Sequence, residues 1–245
     1  MTPAADEGGL VLGFADPEAE LAGSGWRLDA SQGGLLLLDG VAHTAELELE
    51  EAGEERARAR LVAATARCEL MLEPRLGSLA LARADGSPPP GGGLSAALCS
   101  AHLEIDGGPS AGQDCAGYLS GWAVEPGTSP ARHLAALDAD GSLLLLAGSR
   151  PAQASGHGDE DLAAWTVDAE GHVTAFGEAM LSTQYDAHDA VTRAGLELWP
   201  PGEPAAPVRA SATRLAGSEK EGIAAALMRF AVEGRPALGS YLIHR

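Results

Sequence analysis

Three short stretches hold residue types that could carry chemistry. Ser155-Gly-His-Gly-Asp-Glu-Asp161 is the densest polar run. A strand there would put His157, Asp159 and Asp161 on one face, and a histidine with two carboxylates can hold a divalent cation. The run lacks the glycine and distal Glu placement of an EF-hand loop. It reads rather as a solvated, glycine-rich acidic loop, and no metal is expected. Tyr185-Asp-Ala-His-Asp189 offers general acid–base side chains, but its spacing also suits a polar turn between strands, which is the reading taken. Ala116-Gly-Tyr-Leu-Ser-Gly-Trp122 sets two aromatics among two glycines. Glycine lets a ligand or a facing strand come close to bulky rings. A ligand wall and an aromatic core anchor fit this stretch equally well.

Other chemistries are excluded by what is missing. There is no Gly-x-Gly-x-x-Gly, no Walker loop, no Gly-x-Ser-x-Gly elbow and no His-Glu-x-x-His. Cys68, Cys99 and Cys115 are odd in number and widely spaced, which suits neither a disulfide framework nor a cysteine metal site. They read as small buried hydrophobes.

The elements that must position these residues are punctuated by turn signals. Asp39-Gly40, Asp85-Gly86, Asp106-Gly107-Gly108, Asp140-Gly141, Glu170-Gly171 and Glu233-Gly234 separate short segments rich in Leu, Val and Ala. Leu134 to Ala147 and Trp165 to Phe176 each read as strand, tight turn, strand. Glu46-Leu-Glu-Leu-Glu50 alternates strictly, with Leu on one face and Glu on the other. Frequent short strands point to an antiparallel barrel or sandwich. Glu54 to Leu72 and Glu219 to Met228 have helical propensity, although Arg56, Arg58 and Arg60 alternate with Ala57, Ala59 and Leu61 at a strand period. Gly86 to Gly93 reads as an exposed flexible loop, Pro200 to Pro204 as a hairpin loop, and Glu125 to Pro130 as a domain junction.

The chain has 245 residues, 45% of them apolar, with a formal charge of −19. That permits one large or two small domains with a packed core. The acidity disfavours nucleic acid and anionic membrane surfaces. No apolar run approaches the ~20 residues of a membrane helix; Leu35 to Leu38 and Leu143 to Ala147 suit buried strands. The first residues lack a signal-peptide pattern, so a cytoplasmic location is expected.

Leu181-Ser-Thr-Gln-Tyr-Asp186 followed by Arg193-Ala-Gly-Leu-Glu-Leu-Trp199, the opening Leu10 to Pro17 and the ending Met228 to Tyr241 resemble uncharacterised members of the lipocalin-like carotenoid hydratase (hydroxyneurosporene synthase) superfamily. The resemblance implies an all-β fold of two lipocalin-like antiparallel barrels packed together, over residues 1–126 and 127–245. It favours strands for Glu54 to Leu72 and Ile223 to Val232. It also implies an apolar small molecule as partner (terpenoid, polyketide or lipid-like). No cofactor, no nucleic acid and no membrane insertion are expected. Against the family's motif, Gly117, Tyr118 and Trp122 match in type, while Leu119, Ser120 and Gly121 stand where its acid and histidine fall. The expectation is a ligand-binding protein with Tyr118 and Trp122 lining the pocket, and Trp26, Tyr185 and Trp199 as further lining residues. Hydratase- or cyclase-type turnover is one outcome of that reading. A non-catalytic accessory protein acting through its surface is the alternative.

Overall fold

A computed structural model describes residues 8–28, 31–52, 56–106, 113–123, 127–154, 157–202 and 206–245. Nine strands make a first sheet: β1 (Gly8–Asp16), β2 (Leu21–Leu28), β3 (Ser31–Leu38), β4 (Val41–Ala52), β5 (Ala57–Ala63), β6 (Arg67–Pro74), β7 (Leu79–Leu81), β8 (Leu94–Asp106) and β9 (Gln113–Ala123). Its order is β6-β5-β4-β3-β2-β1-β9-β8-β7, and β6 also pairs with β8. Eight strands thus close into a barrel, with β7 left as a flap on β8. Nine more make a second sheet: β10 (Thr128–Asp138), β11 (Leu143–Pro151), β12 (Asp161–Val167), β13 (Val173–Ala175), β14 (Glu178–Tyr185), β15 (Val191–Trp199), β16 (Val208–Lys220), β17 (Ile223–Val232) and β18 (Arg235–His244). This sheet runs β13-β12-β11-β10-β18-β17-β16-β15-β14 and is curled but open. At its edges Phe176 N donates to Ala164 O (3.0 Å), but no ladder joins β12 to β14. The expected all-β architecture of two packed barrels is therefore observed, the second one incompletely closed.

Local sequence explains the hairpins. Asp39-Gly40 and Glu233-Gly234 both have positive φ at each residue (50° and 73°; 49° and 79°), the type I′ geometry that matches strand twist. Asp106-Gly107-Gly108 runs into residues outside the described set. Among the described residues the two segments of helical propensity form strands joined by turns, with no helix: Ala57, Ala59 and Leu61 are fully buried, and the intervening Arg58 and Arg60 reach Glu50 on the outer face. Burial of one alternating face outweighs a few tenths of a kcal/mol per residue of helix preference.

Some strands are apolar without alternation, and the packing gives the reason. Leu36 faces the first barrel's interior while Leu35 and Leu37 face the second barrel. Likewise Leu144 and Leu146 point into the second barrel, and Leu143, Leu145 and Ala147 point at the first. Strands covered on both faces read as continuous hydrophobic runs. The molecule thus has three apolar layers: two barrel interiors and a seam between them.

The glycine- and proline-rich loop before β8 departs from expectation. It is not a free loop. Pro89 is buried, Gly91 packs on Ser149, and Arg83 reaches Asp161 and the Leu162 carbonyl (3.5 Å). Trp165 Nε1 donates to Ala82 O at 2.6 Å. The first sheet's loop therefore straps across the second sheet.

Candidate functional site

Tyr118, Trp122 and Trp26 come together in the seam, outside both barrel interiors. Ala116, Tyr118, Ser120 and Trp122 of β9 face the seam, while Leu119 faces the first barrel's core. Trp26 is 1% and Tyr118 2% exposed. The Tyr118 hydroxyl bonds Ser240 Oγ at 3.0 Å, and burial pushes its pKa up to about 12. Each ring of β9 lies over a glycine of β1: Tyr118 is paired with Gly13, and Trp122 with Gly9. A Cβ on Gly13 would fall 2.5 Å from the Tyr118 ring. Gly13→Ala should therefore cost about 1–3 kcal/mol through overpacking, read as a lowered urea midpoint. An unchanged midpoint would mean that the ring has room to move.

Trp122 stacks on His133 (centroids 5.0 Å apart, planes at 22°), and His133 Nε2 is 3.1 Å from Ser120 Oγ. Trp122 Nε1 and His133 Nδ1 are buried with no partner among the described residues. A recess lined by both rings and by Thr128, Ser149 and Leu94 measures about 20 Å³. That is room for about one water. Burial lowers the His133 pKa to about 3, against ~6.5 in an unfolded chain. Between those values the unfolded chain binds a proton that the fold excludes. Stability should thus fall as pH drops from about 6.5 towards 3, by up to about 1.4 kcal/mol per pH unit. Urea midpoints at pH 7 and pH 4.5 check this, since His133→Phe should lose less on acidification than the parent.

Tyr185 and Trp199 lie elsewhere and apart. They sit at opposite ends of the β14–β15 hairpin, because Glu178 pairs with Trp199 and Tyr185 with Val191. Seven residues of strand put about 23 Å between them. Trp199 is half-buried. Tyr185 is 38% exposed and enters a polar cluster that sequence reasoning missed. At its centre is Arg132 of β10, whose residue is 6% exposed although it points into the second barrel beside Leu134 and Tyr241. Its Nε bonds both oxygens of Glu160 (3.1 and 3.0 Å), a carboxylate whose side chain is 6% exposed. Its Nη1 donates to the hydroxyls of Tyr185 (3.2 Å) and Tyr241. Thr183 Oγ1 lies 2.8 Å from the Tyr241 hydroxyl. The one available signal was the Arg132-His133 pair at the head of the apolar run Leu134 to Leu137.

This cluster sits where the second sheet fails to close. The inward residues of β14, Ala179, Leu181 and Thr183, are only half-buried. Deeper in, the wall is built of Ala136, Ala164, Ala194, Ala210, Ala212, Ala224 and Ala226 with larger residues such as Phe230 and Met228. The arrangement is an apolar barrel with one strongly polar pole at its open side.

Residues 157–159 form a 3-10 turn rather than a strand, so the one-face alternation does not form; the His157 side chain lies outside the described residues. Nor is the run wholly solvated, for Glu160 is buried on Arg132 and Asp161 is tied to Arg83. Tyr185 to Asp189 is the expected polar turn: Asp186 Oδ1 accepts the His188 and Ala190 amides (2.8 and 3.0 Å), which holds its pKa below the usual carboxylate value. Cys68 and Cys99 are buried and Cys115 partly so, and burial pushes all three thiols up to about 12, far from nucleophilic. Asp168, Glu170 and His172 cluster at the β12–β13 turn, two of them exposed.

No protein-family model and no curated protein sequence matches the chain. Solved structures do. A candidate AttH from Nitrosomonas europaea is similar with a TM-score of 0.61 at 15% identity, over 97% of this chain and 92% of that one. CghA solved with Sch210972 is similar at 0.54 and 10%, over 99% and 92%, and CghA alone at 0.55 and 11%, over 98% and 88%. The fold is lipocalin-like. At these identities the likeness concerns the arrangement of strands. The lipocalin-like fold carries no helix long and apolar enough to cross a membrane among the described residues.

Proposed function

We propose that the protein binds an apolar small molecule, terpenoid, polyketide or lipid-like, at the open side of the second barrel. The observation that carries this reading is the Arg132–Glu160–Tyr185–Tyr241 cluster at a gap between sheet edges, beside a barrel interior rich in alanine. Ligand sites are mostly apolar surfaces with a few convergent polar groups. That CghA, of similar fold, was solved with Sch210972 supports a ligand in a fold of this kind. The seam recess beside Trp122 is the size of a water, so Tyr118, Trp122 and Trp26 act in this reading as the packed wall that fixes the second barrel.

Hydratase- or cyclase-type chemistry would need a proton donor near the bound molecule, and the two phenols are the groups of that type at the gap. The competing reading, a non-catalytic protein acting through its surface, draws on interiors filled by their own side chains. Titration with a fluorescent fatty-acid analogue decides between them. Saturable binding that quenches on Tyr185→Trp supports the ligand reading, and absence of binding by any long-chain probe supports the surface reading.

A further inference from the structure

The hydrogen-bond directions at the open side of the second barrel specify the polar group that a ligand would carry. Arginine can only donate. Arg132 Nη1 therefore gives its hydrogens to the Tyr185 and Tyr241 oxygens, and neither phenol uses its own hydrogen on Arg132. The Tyr185 oxygen accepts from Arg132, and the residue is 38% exposed, so its O–H is accessible to a partner from outside the cluster. Tyr241 and Thr183 share one bond at 2.8 Å. The Tyr241 oxygen already accepts from Arg132, so the assignment that spends every hydrogen has Tyr241 donating to Thr183. The Thr183 hydrogen is then left over. Thr183 and Tyr185 are two apart on the edge strand β14 and so project from one face, about 7 Å apart along the strand.

Charge narrows the class further. The guanidinium is already compensated by the Glu160 carboxylate, which both its Nε contacts serve. An anionic headgroup would meet that carboxylate, and a cationic one would meet the guanidinium. A neutral acceptor meets two spare donors polarised by a neighbouring cation.

Resting on the proposed ligand reading, we infer that the second barrel recognises an apolar molecule through a neutral carbonyl-type oxygen, bound by the hydroxyls of Tyr185 and Thr183. Three probes of matched length test it by isothermal titration on the full chain: 2-tridecanone, tridecane and tridecanoate. The ketone should bind at least tenfold more tightly than the alkane and more tightly than the carboxylate. Tyr185→Phe, at a partly exposed position, and Thr183→Val should each weaken the ketone by about three- to tenfold and the alkane far less, and Thr183→Ser, which keeps the hydroxyl that Tyr241 bonds, should restore the ketone. Equal binding of ketone and alkane, tighter binding of the carboxylate, or insensitivity to both variants overturns the inference while leaving ligand binding intact. Failure of all three probes overturns the ligand reading as well.

Discussion

Replacing Arg132 with alanine should destabilise the fold by about 3–5 kcal/mol, the largest effect expected of any polar substitution here. The substitution leaves the Glu160 carboxylate, 6% exposed, without its guanidinium. An uncompensated buried charge costs that much because the protein interior cannot replace the lost solvation. The phenols of Tyr185 and Tyr241 lose their common donor in the same step. Arg132→Met combined with Glu160→Leu should be far milder, since it removes both charges and fills the space with apolar atoms. Urea unfolding of the parent, the single variant and the double variant checks the ordering. A single-variant loss under 1 kcal/mol would mean that water reaches the pair and that it behaves like a surface ion pair.

Trp26→Ala should cost a similar ~3–5 kcal/mol for a different reason. Its ring is 1% exposed in the seam, packed among residues of both sheets. Truncation opens a cavity bounded by strands that cannot all collapse inward. Trp26→Phe should be much cheaper: the indole Nε1 has no hydrogen-bond partner among the described residues, so its loss removes a desolvated donor along with some contact area. The comparison is read from urea midpoints. A negligible effect of alanine would show that the ring borders open space, the arrangement expected of a pocket lining.

Much of the scaffold was legible from local chemistry. Glycine after Asp or Glu marked hairpin turns because those turns need positive φ, and Glu46 to Glu50 alternated because one face of β4 meets water and the other a core. Glu54 to Leu72 was ambiguous at the level of propensity, and only the fate of its alternate face settles it. The runs Leu35 to Leu38 and Leu143 to Ala147 announced burial on both faces but could not say that one face was a seam between barrels.

The polar cluster was illegible for a related reason. Arg132 finds Glu160 28 residues away and Tyr241 109 residues away, so no short-range pattern encodes the group. Glu160 was hidden inside an acidic run whose neighbours are exposed. The glycines that accommodate the rings of Tyr118 and Trp122 are on β1, more than 100 positions earlier, and become visible only through the strand register. The loop at residues 86–93 has the composition of a free linker, but composition reports backbone freedom in the unfolded chain and says nothing of what the folded loop lies against.

The strand order has a consequence for how the chain is made. β1 pairs with β9, and β10 pairs with β18, so each sheet sets its first strand beside its last. During synthesis the first strand of each half waits for about a hundred further residues before its second neighbour emerges, and such long-range pairings form slowly. Until then its unpaired edge is open to mispairing and association, which makes the vectorial order of translation part of what delivers the protein to its native state.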